Sequence, residues 1–127
     1  MNSHRQLIDA CYKGNLEGIK KLVEQGADID YQKNHMLNLC GIFGDMDIFN
    51  YLVELGADIH TKTKNDAVLY GAICYGHLEI IKFYDDQGPN RYNSNIKEIL
   101  KLAKLHKQQH VINYYNKKII LEKLQTI

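Results

Sequence analysis

Apolar residues along this chain recur at helical spacing, in short stretches that glycines interrupt at regular intervals. Leu16, Ile19, Leu22 and Val23 follow an i, i+3, i+6, i+7 stripe that predicts one face of a helix ending before Gly26. Met46, Ile48, Phe49, Leu52 and Val53 repeat it before Gly56, and Leu78, Ile80, Ile81 and Phe83 repeat it before Gly88. Twelve residues ahead of each closing glycine stands another, Gly14, Gly44 and Gly76, and seven residues ahead of each of those is Leu7, Leu37 or Leu69. Steps of 30 and then 32 residues separate the copies. Each unit therefore reads as helix, glycine turn, second helix, glycine stop and a short extended finger. The second helices open on Asn15, Asp45 or His77; the first two are favoured N-caps. Glu17, Asp47 or Glu79 follows in the first turn, where the helix dipole favours a negative charge.

A helix pair of this kind cannot bury its apolar faces alone. Stacked pairs build one continuous core, and about three or more are needed for stability. The expected class is all-α, a solenoid of stacked antiparallel helix pairs with short β-turn fingers. A single domain is expected over residues 1–127, with units at about 3–33, 34–64 and 65–92 and a C-terminal capping unit at 93–127. That last unit has Ile96, Ile99, Leu100 and Ala103 in its first helix. Its stretch from His110 to Tyr115 runs in phase with Glu79 to Tyr84. Where the inner glycine should stand, 31 residues after Gly76, it has Lys107, and its final helix continues through Ile119, Ile120, Leu121 and Leu124.

Gly26-Ala27-Asp28-Ile29 recurs as Gly56-Ala57-Asp58-Ile59, and Gly76-His77-Leu78-Glu79-Ile80-Ile81-Lys82 opens the third second-helix. In these motifs the chain resembles the ankyrin-repeat family, strongly over about residues 3–90 and weakly beyond. The family's Thr-Pro-Leu-His opening is replaced by Arg5-Gln6-Leu7-Ile8, His35-Met36-Leu37-Asn38 and Ala67-Val68-Leu69-Tyr70. Substitute caps are expected at Ser3 with Gln6, at Asn34 or Asn65, and at Asn95 with Glu98. Against the usual repeat of about 33 residues, the 30-residue step shortens the finger between Gly26 and Leu37. Gly18, inside a helix, should cost about 1 kcal/mol relative to alanine, so modest stability is expected.

Composition narrows the function. The chain has 127 residues, 45% hydrophobic and 24% charged, which is globular. No apolar run approaches the roughly 20 residues of a membrane span. The first residues lack the apolar stretch of a secretory signal, so a cytoplasmic protein is expected, of its own cell or of a host cell. Cys11, Cys40 and Cys74 stand apart and are expected as buried thiols. Net charge is +1, but residues 91–127 carry eight basic side chains against Glu98 and Glu122; that end is +6 and residues 1–90 are −5. Such a division favours an oriented electrostatic encounter.

Catalytic chemistry is not expected. His106 and His110 have a metal-capable i, i+4 spacing but no third ligand, which leaves a metal-dependent enzyme as a weaker alternative. Asp28 and Asp58 are read as ordering the turns after their helices, and Asp85-Asp86 as fraying or capping the third unit. The glycines close helices instead of cradling phosphate, and no cofactor or small-molecule substrate is expected. Nine tyrosines beside lysines could stack on nucleic acid. The basic cluster nevertheless lies in one cap with no RNA-binding motif, so nucleic acid is not the expected partner.

The resemblance implies protein binding through a concave face lined by first-helix ends and fingers. Its candidate residues are Tyr12, Lys13, Ile42, Phe43, Tyr75 and His106, with Tyr31, Lys33, Lys62 and Lys64 on the fingers. Stacking is expected to align Tyr12, Phe43 and Tyr75 as an aromatic ladder; packing between units is the alternative. A stand-alone binder, inhibitor or immunity-type competitor fits these features. A host-directed protein of a virus or intracellular bacterium fits the Asn-, Ile-, Lys- and Tyr-rich composition equally.

Overall fold

The computed structural model describes residues 3–59, 67–87 and 96–126. Lys62, Lys64, the expected caps Asn65 and Asn95 and the degenerate turn 88–91 lie outside the described residues. Eight helices and no strand occur among those described: α1 Ser3–Tyr12, α2 Leu16–Glu24, α3 Lys33–Phe43, α4 Met46–Glu54, α5 Ala67–Tyr75, α6 Leu78–Asp86, α7 Ile96–Leu105 and α8 Gln109–Gln125. Each odd-numbered helix packs on its successor, and the odd-numbered helices pack in series, α1 on α3, α3 on α5 and α5 on α7. The result is the two-layered, all-α repeat array that the glycine spacing predicts.

The repeated stripes form the core. Ile19 in α2, Ile48, Phe49 and Leu52 in α4, and Ile80, Ile81 and Tyr84 in α6 are fully buried. Val111, Ile112 and Tyr115 of α8 take the same places in the cap, as their phase with Ile80, Ile81 and Tyr84 requires. Leu16, Leu22 and Val23 are half-buried and pack against this core, as Met46, Val53 and Leu78 do in the next two units. All three cysteines are buried. The Cys11 thiol donates to the Met36 carbonyl at 3.7 Å. Its bond with the Cys40 thiol lowers the Cys11 pKa, while that same bond and burial raise that of Cys40.

The helix stops at Gly14, Gly26 and Gly56 share one geometry. At Gly26 the glycine N–H reaches the Val23 carbonyl and the Ala27 N–H reaches Leu22, the paired bonds that satisfy a helix C-terminus through a left-handed residue. Lys107 is built the same way, with its N–H on Lys104 and the Gln108 N–H on Ala103, at φ 57°. It is the one non-glycine with positive φ among the described residues.

Several local expectations are corrected. Ser3 begins α1 instead of capping it, and Asn34 lies inside α3, where its side chain accepts the Asp58 N–H at 3.3 Å and ties the second finger to the start of α3. A Cβ at Gly18 would stand 2.9 Å from the Asn15 side-chain Cγ, and that side chain caps α2 by accepting the Gly18 N–H at 2.9 Å. Gly18 therefore makes room for a cap, and alanine there would not gain the helix-propensity difference.

Two further glycines, Gly41 and Gly71, went unnoticed in the sequence because they lie outside the turn pattern. A Cβ on Gly41 would collide with the Val68 carbonyl and lie 2.9 Å from Val68 Cα; one on Gly71 would lie 3.3 Å from the Gly41 carbonyl carbon. Helices α3 and α5 thus meet backbone to backbone, which only glycine allows.

Candidate partner-binding face

The ends of the odd-numbered helices carry the candidate residues, and their tilt out of the core follows from register. In α1, Leu7, Ala10 and Cys11 face inward, which turns Tyr12 and Lys13 outward. In α3 the inward set ends at Cys40 and Gly41, leaving Ile42 half-buried and Phe43 exposed. Tyr12, Phe43, Tyr75 and Leu105 are 58%, 44%, 60% and 74% exposed, so each of four successive units presents one large apolar side chain at its inner turn. All four reach solvent, Phe43 least.

As a ladder, however, the arrangement is incomplete. Tyr12 and Phe43 pair edge to face, ring centres 5.2 Å apart at 62°, a favourable aromatic geometry. No ring contact joins Phe43 to Tyr75 among the described residues. Phe43 and Tyr75 share one register, each directly before its glycine, whereas Tyr12 stands two residues before its own, so equivalent positions along the chain do not by themselves bring the rings together.

Of the remaining candidates, Lys13 pairs with Asp9 at 2.9 Å, both exposed. Tyr31 projects from the first finger with its ring 5.5 Å from that of His4, and Gln32 bonds the His4 ring at 3.0 Å. Lys33 opens α3 and pairs with Asp30 at 3.1 Å, which keeps it half-buried. The finger is the expected stub, a turn in which Asp28 accepts the Asp30 N–H at 3.1 Å. His106 is exposed in the turn before α8.

Two open depressions meet at Tyr12. One, of about 520 Å³, lies between the first two inner turns and takes in Tyr12, Phe43, Asp45, Asp47 and Glu79; the other, of about 490 Å³, runs along α1 past Arg5, Ile8 and Gln32.

The turns behind this face are stapled by side chains whose role the sequence did not disclose. Asn15 and Asp45 cap their helices as expected, Asp45 accepting the Ile48 N–H at 3.0 Å. His77 makes no such cap. Its Nε2 donates to the Ile42 carbonyl of the preceding unit at 2.7 Å, which fixes the proton on that nitrogen. One unit on, Gln108 donates to the Cys74 carbonyl at 3.0 Å and His110 Nε2 to Gly76 at 2.6 Å. Ile42 and Cys74 are equivalent positions, so the staple repeats. Gly44 serves it twice, with φ 75° and with the space that the His77 ring fills. His110 is thereby bound to the neighbouring unit, and no group of three or more metal-ligating side chains occurs among the described residues.

Asp85, expected to fray or cap the end of the third unit, ties that end down. Instead of fraying α6, its carboxylate accepts the Tyr114 hydroxyl at 2.8 Å and the Tyr115 hydroxyl at 3.4 Å, and meets Lys118 Nζ at 3.3 Å. It clasps the cap helix to the third unit. Burial first raises the pKa of both tyrosines; next comes the hydrogen bond to Asp85 for Tyr114 and the Asp85 charge for Tyr115. Spacing alone could not reveal the contact, because the partners are 29 to 33 residues apart.

Comparison with known proteins accords with this geometry. A sequence model described as ankyrin repeats, in three copies, matches residues 7–95. The E3 ubiquitin-protein ligase hecd-1 of Caenorhabditis elegans is 29% identical over 91 residues, 68% of this chain and 3% of the ligase. The E3 ubiquitin-protein ligase Ufd4 of Drosophila melanogaster is 31% identical over 84 residues, 63% of this chain and 3% of that protein. An ankyrin repeat protein of Acanthamoeba polyphaga mimivirus is 35% identical over 91 residues, 68% of this chain and 14% of its own length. The chain therefore spans a small fraction of each relative, and the likeness is one of repeats. No described helix is long and apolar enough to cross a membrane.

Proposed function

The chain belongs to the ankyrin-repeat family, and from that premise we propose that it is a non-catalytic binder that occludes part of a protein partner, as an inhibitor or immunity-type competitor does. Ankyrin repeats are protein–protein interaction modules, so the open question is which surface engages and to what effect. The observation that carries the reading is the row Tyr12, Phe43, Tyr75 and Leu105, one exposed apolar side chain from each of four units. Large apolar groups left in water at the same place in every unit contribute little to folding, whereas aromatics of this kind dominate interface energetics once covered. The His77 and Gln108 staples support it further, since a rigid row loses less conformational freedom on binding.

The test is affinity capture from the native cell extract with mass spectrometry, comparing wild type with Phe43→Ala/Tyr75→Ala. Both substituted side chains are exposed, so circular dichroism should report an unchanged fold. The proposal expects a partner retained by the wild type and lost by the variant. Equal retention by both would remove this face from consideration.

A second reading, a host-directed protein of a virus or intracellular bacterium, is favoured by the 35% identity to a mimivirus ankyrin repeat protein. It uses the same surface on a host partner, in the cytoplasm of the infected cell. Capture from host extract in place of the producing cell's own extract separates the two.

A further inference from the structure

The larger depression on this face has a definite electrostatic character. Tyr12 and Phe43 form its apolar side, and Asp45, Asp47 and Glu79 supply three carboxylates. None of the three belongs to an ion pair among the described residues, and Lys13, the one cation in the lining, is already paired with Asp9 at 2.9 Å. Asp45 uses Oδ1 to cap α4, while its Oδ2 faces Gly14, at 3.3 Å from where a Cβ there would lie. Glu17, Asp47 and Glu79 occupy equivalent exposed positions in three units, so an acidic edge runs beside the apolar row. At the cap the equivalent residue is His110, with Lys104 and Lys107 nearby in sequence, and the edge changes sign.

We propose that this groove receives a cationic side chain, and that the partner lays a basic, amphipathic segment across the first three inner turns. This rests on the binding face proposed above and specifies its partner. A guanidinium suits the groove: its flat face stacks on aromatic rings, and its forked donors match carboxylates. Charge complementarity selects against an acidic segment, which would meet three unpaired carboxylates. The −5 balance of residues 1–90 steers the basic end of the partner toward these units and away from the +6 cap. Packed helices stand about 8–10 Å apart, so three inner turns span roughly 20 Å, the reach of about six extended residues, which a nonapeptide covers.

Fluorescence anisotropy tests this with labelled nonapeptides of alternating Arg and Leu, alternating Lys and Leu, and alternating Glu and Leu. The Arg peptide should bind in the micromolar range, the Lys peptide more weakly, and the Glu peptide at least about tenfold more weakly than the Arg peptide. Asp47→Asn/Glu79→Gln should weaken the Arg peptide about tenfold, the sum of two solvent-facing charge pairs. Glu24→Gln/Glu54→Gln, which removes the same charge at the exposed ends of α2 and α4, should weaken it no more than about twofold. All four sites are exposed, and Asp47→Asn alone serves as a milder variant. No binding of the Arg peptide, equal loss in the two double variants, or equal binding of the Glu peptide would each overturn the proposal. If Phe43→Ala/Tyr75→Ala abolishes partner capture while Asp47→Asn/Glu79→Gln leaves the Arg peptide unaffected, the binder reading stands and the cationic groove falls.

Discussion

Replacing Lys107 with glycine should stabilise this protein. Lys107 closes α7 in the geometry that Gly14, Gly26 and Gly56 provide, with φ 57° and both paired C-terminal hydrogen bonds formed. A left-handed conformation costs an L-residue with a Cβ roughly 1–2 kcal/mol. Glycine avoids that cost but loses about 0.5–1 kcal/mol more backbone entropy on folding than alanine does. The difference is a net gain of about 1 kcal/mol. With an unfolding entropy of about 2.1 cal/mol/K per residue, 127 residues give ~0.27 kcal/mol/K, so the melting temperature should rise by about 4 °C. The Lys107 side chain is exposed, so its removal forfeits no buried contact. Lys107→Ala isolates the cause: it deletes the charge and the stem but keeps the Cβ, and should melt within about 1 °C of wild type. Thermal unfolding followed at 222 nm, with urea titration as a second measure, decides the matter. A Lys107→Gly variant no more stable than Lys107→Ala would mean that the turn carries no backbone strain.

Two further outcomes follow from the packing. Gly41→Ala should cost about 3 kcal/mol in urea unfolding, because the Cβ meets backbone of α5 that cannot rotate away; Gly26→Ala, with no atom within 4 Å of its Cβ and only φ 94° to penalise it, should cost about 1–2 kcal/mol. Alkaline pH should loosen the cap. Tyr114 and Tyr115 have folded pKa values raised above 10.0, so the unfolded chain releases their protons first, and stability intact below pH 10 falls as pH rises above it. Urea midpoints at pH 8, 10 and 11 should decline for the wild type and decline less for Tyr114→Phe, and a pH response unchanged by that substitution would contradict the assignment.

The architecture was legible because a repeat writes itself into sequence several times over. Gly26 and Gly56 report left-handed helix stops, and the apolar stripes report buried faces. Three copies in phase leave little choice of fold. The same spacing put Lys107 where an inner glycine should stand, and the structure gives it the positive φ of that position. It also placed Tyr12, Phe43 and Tyr75 at the inner turns. Whether those rings lie in the core or in water was beyond it, because an apolar residue one position past a buried stripe has the same composition in either case.

Contacts between units were settled by tertiary structure alone. His77, which stands at a cap position without a favoured capping side chain, reaches across to Ile42, and Asp85, read as fraying or capping its unit, holds Tyr114, Tyr115 and Lys118. Gly18, read as a defect, leaves space for the Asn15 cap, and Gly41 and Gly71 let two helices touch. Helical periodicity is a property of residues three and four apart, so a single chain displays it directly. A hydrogen bond between residues some 30 positions apart depends on the rise and rotation from one unit to the next. That offset exists only once the units have stacked.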